Sequence, residues 1–270
     1  MAVLEHFESD CFSLSHSIDK EPKSDWFQLH IHDNYELFCL VKGKVGYIVE
    51  GHRYKLRPGS VLLIRSSELH RLVVNESYEY ERYVINFSHD FFSKRGFDDN
   101  ILTPYLNREL GKKNLYSAKE LEPCSAIACF EKMTNEAKVI NAEDAVFANL
   151  SYLISFINVV FAAKKEDEQE ENSIIAYINE NLTNDISVSD VARFAHLSQS
   201  QLSRVFKELS GTSVYEYILS KRLILFQEKI RQGKSAIKAS TECGFGDYSS
   251  FYRLYKKRFG VPPTKKSQES

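Results

Sequence analysis

The sequence predicts an α+β fold of two domains: a small β-barrel with a helical segment behind it, then an all-α domain in which two short helix pairs flank one long helix. Three observations carry this. Residues 26–90 hold short apolar runs (35–41, 45–49, 61–64, 80–87) broken by VKGK, EGHR, RPGS and NES, turn signals at the intervals of a sandwich or small barrel. From about residue 119 the apolar period lengthens to that of helices. The stretch LSRVFKELSG (202–211) then returns forty-nine residues later as FYRLYKKRFG (251–260), with Arg204 matching Arg253, Lys207 matching Lys256 and Gly211 matching Gly260.

Composition allows this plan and narrows the function. The 270 residues suffice for two cores, and 43% hydrophobic with 27% charged residues is the composition of a globular protein. The first residues, MAVLEHFESDCF, have no basic leader before an apolar run, so no secretory signal is expected. No stretch approaches 18 uninterrupted apolar residues, so no membrane partner is expected and the location is taken as cytoplasmic. Five Cys form no CxxC pair and are odd in number, as for scattered reduced thiols. The net charge of −2 is uneven: residues 172–270 hold 15 Lys+Arg against 9 Asp+Glu, the rest 20 against 28. A basic carboxy-terminal part points to a polyanion partner.

In chain order, residues 1–112 are expected to form the barrel. Within them HIHDNYELFCLVKG (30–43) places His30, His32 and Glu36 at one parity, on one face of a strand. RPGSVLLIRSSELH adds His70, and three His with one carboxylate are a plausible set for Fe, Mn or Zn. Tyr35 and Tyr47 are candidates for the mouth. Tyr, His and carboxylate together suit a sugar-like ligand, and Arg53 or Arg65 would pair an organic acid. Residues 113–163 are expected to be helical. Apolar residues at 146, 150, 153, 157 and 160, widened by Phe147, Ile154 and Phe161, make an amphipathic helix over 143–163. One face would cover the barrel, and the rest would meet a second copy. The charge run KKEDEQEEN (164–172) reads as a solvated linker.

Residues 173–270 carry the repeat. VSDVARFA is a short helix with Ser187 or Ser189 as cap, HLS is a turn, and QSQLSRVFKELSG is a second helix ending at Gly211. Leu202, Val205, Phe206 and Leu209 form its core stripe. Ser200, Ser203, Arg204 and Lys207 form a second, polar and cationic one. A short helix, a tight turn and a helix with such an outer face make a helix-turn-helix suited to a major groove. SAIKASTEC, GFGD and YSSFYRLYKKRFG repeat it. Phe251, Leu254 and Tyr255 are placed inward, with Tyr248, Ser249, Ser250, Tyr252, Arg253, Lys256 and Lys257 outward. TSVYEYILSKRLILFQEKIRQG between them is a long helix, capped by Thr212 or Ser213 and closed by Gly233. A stiff connector lets two readers enter successive major grooves about 34 Å apart.

These residues resemble the DNA-binding domain of the AraC/XylS family of bacterial transcription regulators over 172–263. The matching stretches are DVARFAHLSQSQLSRVFKELSG, YEYILSKRL and CGFGDYSSFYRLYKKRFGVPP. The resemblance implies base contacts from Ser200, Ser203, Arg204, Tyr248, Ser249, Ser250 and Arg253. There are departures: Ala236, Ala239 and Ser240 where the family has larger aliphatics and Ala, Phe226 where it has Ala, and Lys266-Ser267 where it has Tyr-Arg. The run HxHxxxE resembles the cupin pattern, with Val74 where metal-binding cupins have Asn, and it also resembles the sensor barrel of AraC-type regulators. There the barrel holds a small organic effector without a metal. That reading makes His30, His32, Glu36, Tyr47 and His70 effector contacts, with no cofactor expected. A metal on His30, His32, Glu36 and His70 is the less favoured alternative.

The expected function is therefore a sequence-specific DNA-binding regulator, expected to activate, controlled by a small polar effector in the barrel. Its expected partners are promoter DNA, RNA polymerase and a second copy of the chain. The alternative is a metal-dependent cupin oxygenase or isomerase with a DNA-binding appendage. No Ser/His/Asp triad, phosphate-cradling Gly loop or zinc-finger set is present to suggest another chemistry.

Overall fold

The computed structural model describes all residues except 1, 24–26, 28, 67, 76–77, 165–172 and 264–270. The expected linker 164–172, apart from its first residue, therefore lies outside the described residues, as do Lys266 and Ser267. The chain forms two compact units, residues 1–170 and 171–270.

Among the described residues the first unit is built on nine strands: β1 (Ala2–Glu8), β2 (Phe12–Asp19), β3 (Tyr35–Lys42), β4 (Val45–Val49), β5 (His52–Leu56), β6 (Val61–Ile64), β7 (His70–Val74), β8 (Tyr80–Phe87) and β9 (Leu115–Tyr116). One sheet runs β1-β2-β8-β3-β6-β9 and the other β5-β4-β7. The four apolar runs of the sequence are β3, β4, β6 and β8. The first two strands lie within the expected barrel, residues 1–112, but precede the stretch 26–90 in which the strand-like runs were seen. β4 and β5 are joined by Glu50 and Gly51, both left-handed at φ 47° and 82°, as a two-residue hairpin of type I′ requires. Glu50 tolerates this because its buried carboxylate accepts from the Leu69 N–H at 2.7 Å.

Strand parity sorts the side chains into two cores. On β3, Phe38 and Leu40 face the small sheet and pack with Tyr47, Val49, Tyr54, Leu72 and Tyr80. Leu37 and Cys39 face the other way, with Val61, Leu63, Tyr83 and Ile85. That second face is covered by α1 (Thr103–Leu106), α2 (Ala126–Glu136) and α3 (Ala142–Ala163). Phe130 and Met133 of α2 and Val146, Leu150, Leu153, Ile154 and Ile157 of α3 are fully buried there. Helix α3 is long and apolar enough to cross a membrane, yet this stripe lies on the sheet. All five cysteines are free and buried.

The second unit is helical: α4 (Ser173–Glu180), α5 (Val188–Phe194), α6 (Gln199–Ser210), α7 (Val214–Arg231), α8 (Ala236–Glu242) and α9 (Tyr248–Phe259). Local chemistry sets each boundary. Ser187 with Asp190 and Ser198 with Gln201 form reciprocal capping boxes. Ser213, Ser235 and Asp247 cap α7, α8 and α9. Both α6 and α9 end on a left-handed glycine, Gly211 at φ 84° and Gly260 at φ 72°, where a side chain would be strained.

The repeat has a narrower core than its apolar stripe. Leu202 and Phe206 are fully buried and Leu209 half-buried, whereas Val205 is 39% exposed. Helices α5 and α7 cover a smaller arc of α6 than the stripe spans, which leaves Val205 at its edge. In the second copy Phe251 and Tyr255 are buried and Leu254 is half-buried. The small residues of α8 are matched by a large one on α7. Phe226 shares a buried cluster with Ala236 and Ala239, its ring 4.5 Å from Phe251 and 5.4 Å from Tyr255. The departures at 226, 236 and 239 thus meet in one cluster.

Candidate nucleic-acid interface and barrel site

The outward faces of α6 and α9 hold the residues expected to meet DNA. Ser200, Ser203, Arg204, Lys207, Ser249, Ser250, Arg253 and Lys256 are all exposed. Tyr248 is half-buried, its ring 6.0 Å from Phe251 and 6.3 Å from Tyr252. The charges of this unit divide into two groups. Arg258 pairs with Glu216 at 2.9 Å, Lys229 and Lys234 both pair with Glu242, and Arg193 pairs with Asp190. Arg222 donates to the carbonyls of Leu182 and Asn184. The side chains of Arg204, Lys207, Lys256 and Lys257, by contrast, make no hydrogen bond or ion pair with a described residue. Arg253 reaches only the Ser250 hydroxyl, at 3.3 Å. The uncommitted cations of the two recognition-type helices sit at matched positions, available to phosphate or to guanine edges.

In the barrel, the sequence expected His30, His32 and Glu36 on one strand. Strand β3 begins only at Tyr35, and residues 31–34 lie outside it. Convergence comes instead from His30 forming an isolated bridge with His70, each backbone N–H donating to the other's carbonyl at 3.0 Å. Glu36 has the parity of Phe38 and Leu40, and His70 that of Leu72 and Val74, so both enter the inter-sheet core. Donor atoms of His30, His32, Glu36 and His70 all lie within 4.8 Å of one another. Burial is graded: His30 is exposed, His32 half-buried, Glu36 and His70 buried.

Electrostatics bind the group together. His32 Nε2 stands 3.1 Å from Glu36 Oε2, and His70 Nε2 stands 3.8 Å from the same oxygen. Burial works to raise the Glu36 carboxyl, but the two imidazoles outweigh it and hold the group well below the usual carboxylate range. Burial works to lower His70, and the carboxylate more than offsets it, so His70 is shifted upward. Tyr47 is buried with its ring 6.4 Å from His70, and burial pushes its hydroxyl well up. Tyr35 lies instead on the helix-facing side, against Phe87, His89 and Tyr105. Arg53 is exposed and opposite in parity to buried Tyr54, and Arg65 reaches the carbonyls of Leu106 and Arg108.

The sequence did not expose a second polar group beside this site. Glu68, fully buried, accepts from Arg108 at 2.5 and 2.8 Å, from the Gly111 N–H at 2.8 Å and from Asn114 at 3.0 Å. Burial works to raise Glu68, yet Arg108 holds it down at about 2. The partners lie 40 to 46 residues away in sequence, and no periodicity or motif connects them.

Such a pair of units, a barrel with a polar cluster and a helical unit presenting two matched cationic helices, defines a DNA-binding transcription regulator with a ligand-binding domain. The sequence matches two family models, the AraC-like ligand binding domain over residues 18–94 and a helix-turn-helix domain over residues 191–268. The chain belongs to the AraC family of transcription regulators. Among its relatives is the "Probable transcriptional regulator LumQ" of Photobacterium leiognathi, 32% identical over 43% of this chain and 47% of that protein. The match to LumQ thus spans about half of that protein's length. The "HTH-type transcriptional activator RhaS" of Mannheimia succiniciproducens is 25% identical over 90% of this chain and 91% of its own length. Among solved structures, ToxT from Vibrio cholerae O395 aligns over 95% of this chain and 96% of its own at 15% identity, with a TM-score of 0.41.

Proposed function

We propose that this chain binds promoter DNA through α6 and α9 and that a small polar effector in the barrel controls the binding. The observation that carries the reading is the matched pair of uncommitted cationic faces, Ser200, Ser203, Arg204 and Lys207 on α6 and Ser249, Ser250, Arg253 and Lys256 on α9. Tyr248 flanks the second face. In this reading residues 1–112 sense the effector through His30, His32, Glu36, Tyr47 and His70. Residues 113–163 dimerise, 164–172 link, and 173–270 bind DNA. Exposed Tyr152 (56%) and Val159 (68%), seven residues apart on α3, support a second copy docking on that face. The bound dimer recruits RNA polymerase in the cytoplasm and activates. A relative named as an activator supports this sign.

The effector must bind the two arrangements of the chain with different affinity, or it shifts nothing. Fluorescence anisotropy on upstream DNA of the neighbouring operon, repeated over a salt series, tests the reading. Affinity is expected to fall steeply with salt, log K against log salt with a slope of about −0.9 per phosphate contacted. A salt-insensitive association, or none above that to scrambled DNA, would sink it.

A further inference from the structure

We propose that the helical unit holds a binding site of its own for a small amphipathic anion, in a cavity between the start of α5, helix α7, the turn 245–247 and α9, and that its occupant competes with DNA for α9. The competition rests on the reading of α9 as a recognition helix; the site itself does not.

The cavity measures about 530 Å³, within the range of small-molecule pockets. Every residue around it belongs to the second unit. On α7 the wall residues Tyr215, Ile218, Leu219 and Arg222 recur at i, i+3, i+4 and i+7, so one stripe of that helix faces the space. Phe245 of the turn and Leu254 of α9 extend the apolar wall. Gly246 keeps it open: a Cβ there would meet no atom within 4 Å.

Arg222 sets the charge of the occupant. Half-buried, it donates from Nε to the Leu182 carbonyl at 2.8 Å and from Nη2 to the Asn184 carbonyl at 2.6 Å. A guanidinium has five N–H groups, and carbonyls accept from them without bringing a charge. No carboxylate among the described residues lies within ion-pair distance of it. Burial shifts the guanidinium downward, and Asp185 only partly offsets this. A half-buried cation without a counter-ion, beside an apolar space, fits a ligand with one anionic head and an apolar body. The acid in the wall, Asp247, already accepts from the Ser250 N–H at 2.9 Å as the cap of α9, where a helix start favours negative charge.

Asp247 and Ser250 belong both to this wall and to the first turn of α9. That end of a recognition helix meets base edges. An anion seated there adds negative charge beside a helix that must approach phosphate. Ligand and DNA therefore oppose each other, and each weakens the other's affinity by the same factor.

The probe is anilinonaphthalene sulfonate, a flat apolar body with one anionic head whose fluorescence rises in apolar surroundings. It is titrated into the folded full-length chain, and operator affinity is then measured with and without it. One saturable site is expected. Arg222→Gln is expected to weaken it about tenfold or more, the loss of one charge-assisted contact. Gly246→Leu, which fills space and leaves the guanidinium in place, is expected to weaken it as well, and decides alone should Arg222→Gln not fold. With the dye at ten times its Kd, the apparent Kd for operator DNA is expected to rise roughly tenfold. Absence of dye binding, equal binding by wild type and Gly246→Leu, or operator affinity unmoved by a saturating dye overturns the proposal. Operator binding by a chain that takes no dye would leave the regulator reading standing and this one lost. Dye binding that Gly246→Leu weakens, in a chain that ignores operator DNA, would keep the site and lose the regulator reading.

Discussion

Arg204 and Lys207 sit one turn apart on α6, and their chemistry separates their expected roles. A guanidinium can hold guanine O6 and N7 at once; an ammonium is a point charge suited to phosphate. Arg204→Ala is expected to cost ~1–3 kcal/mol at one base position. Lys207→Ala is expected to weaken every sequence alike and to lower the salt slope by about one. Binding to a panel of single-base operator variants separates the two, and a uniform loss for Arg204→Ala would reduce that residue to a phosphate contact. The buried Glu68–Arg108 pair makes a different prediction. The folded Glu68 carboxyl titrates at about 2, below its ordinary 4.5. Its contribution is therefore complete above about pH 4.5 and is lost as pH falls toward about 2. Arg108→Ala leaves a buried charge unpaired and is expected to cost ~3–5 kcal/mol in urea unfolding at neutral pH. A loss below 1 kcal/mol would show that water reaches Glu68.

Elements were legible where one physical signal dominated. The strands β3, β4, β6 and β8 are bracketed by turn residues. The helices of the second unit carry Ser or Asp at their starts and glycine at key ends, so residues 211 and 260 could be placed from sequence, while the first cap stayed open between Ser187 and Ser189 until the structure showed Ser187. β1 lies at a sheet edge with little burial, so no apolar alternation announces it. β2 begins with alternating Phe12 and Leu14, but it then buries Ser17 and Asp19, and Asp19 accepts from Arg82 at 2.7 Å. A buried ion pair erases the pattern that defines a half-buried strand. The convergence of His30 and His32 was legible as a motif, but its cause was not. Parity on one strand suggested it, whereas a bridge to His70 produces it. Helix α3 was read with both a covering and a free face. Its covering face is the buried stripe on the sheet, and its free face makes the element's prediction. Val159→Glu is expected to convert a dimer into a monomer in sedimentation equilibrium, with stability little changed because the position is exposed. An unchanged mass would remove α3 from the interface.

At the scale of the molecule, the uneven charge read from the sequence has a structural counterpart. The carboxy-terminal excess includes the unpaired cations of α6 and α9, while many other basic residues of that unit are committed to carboxylates or carbonyls. A basic unit built this way is expected to bind DNA at two places, because two copies of one reader are joined by the single helix α7. In the proposed reading the cluster in the barrel supplies the other half of the account, a site whose occupant is expected to bias that binding.

Methylation interference at guanine N7 on a bound operator measures the two-reader claim most directly. The expected pattern is two interfering major-groove segments per chain, about one helical turn apart, roughly 34 Å. Arg204→Ala should abolish interference in one segment and Arg253→Ala in the other. Interference confined to a single segment, or unaltered by either substitution, would contradict the account.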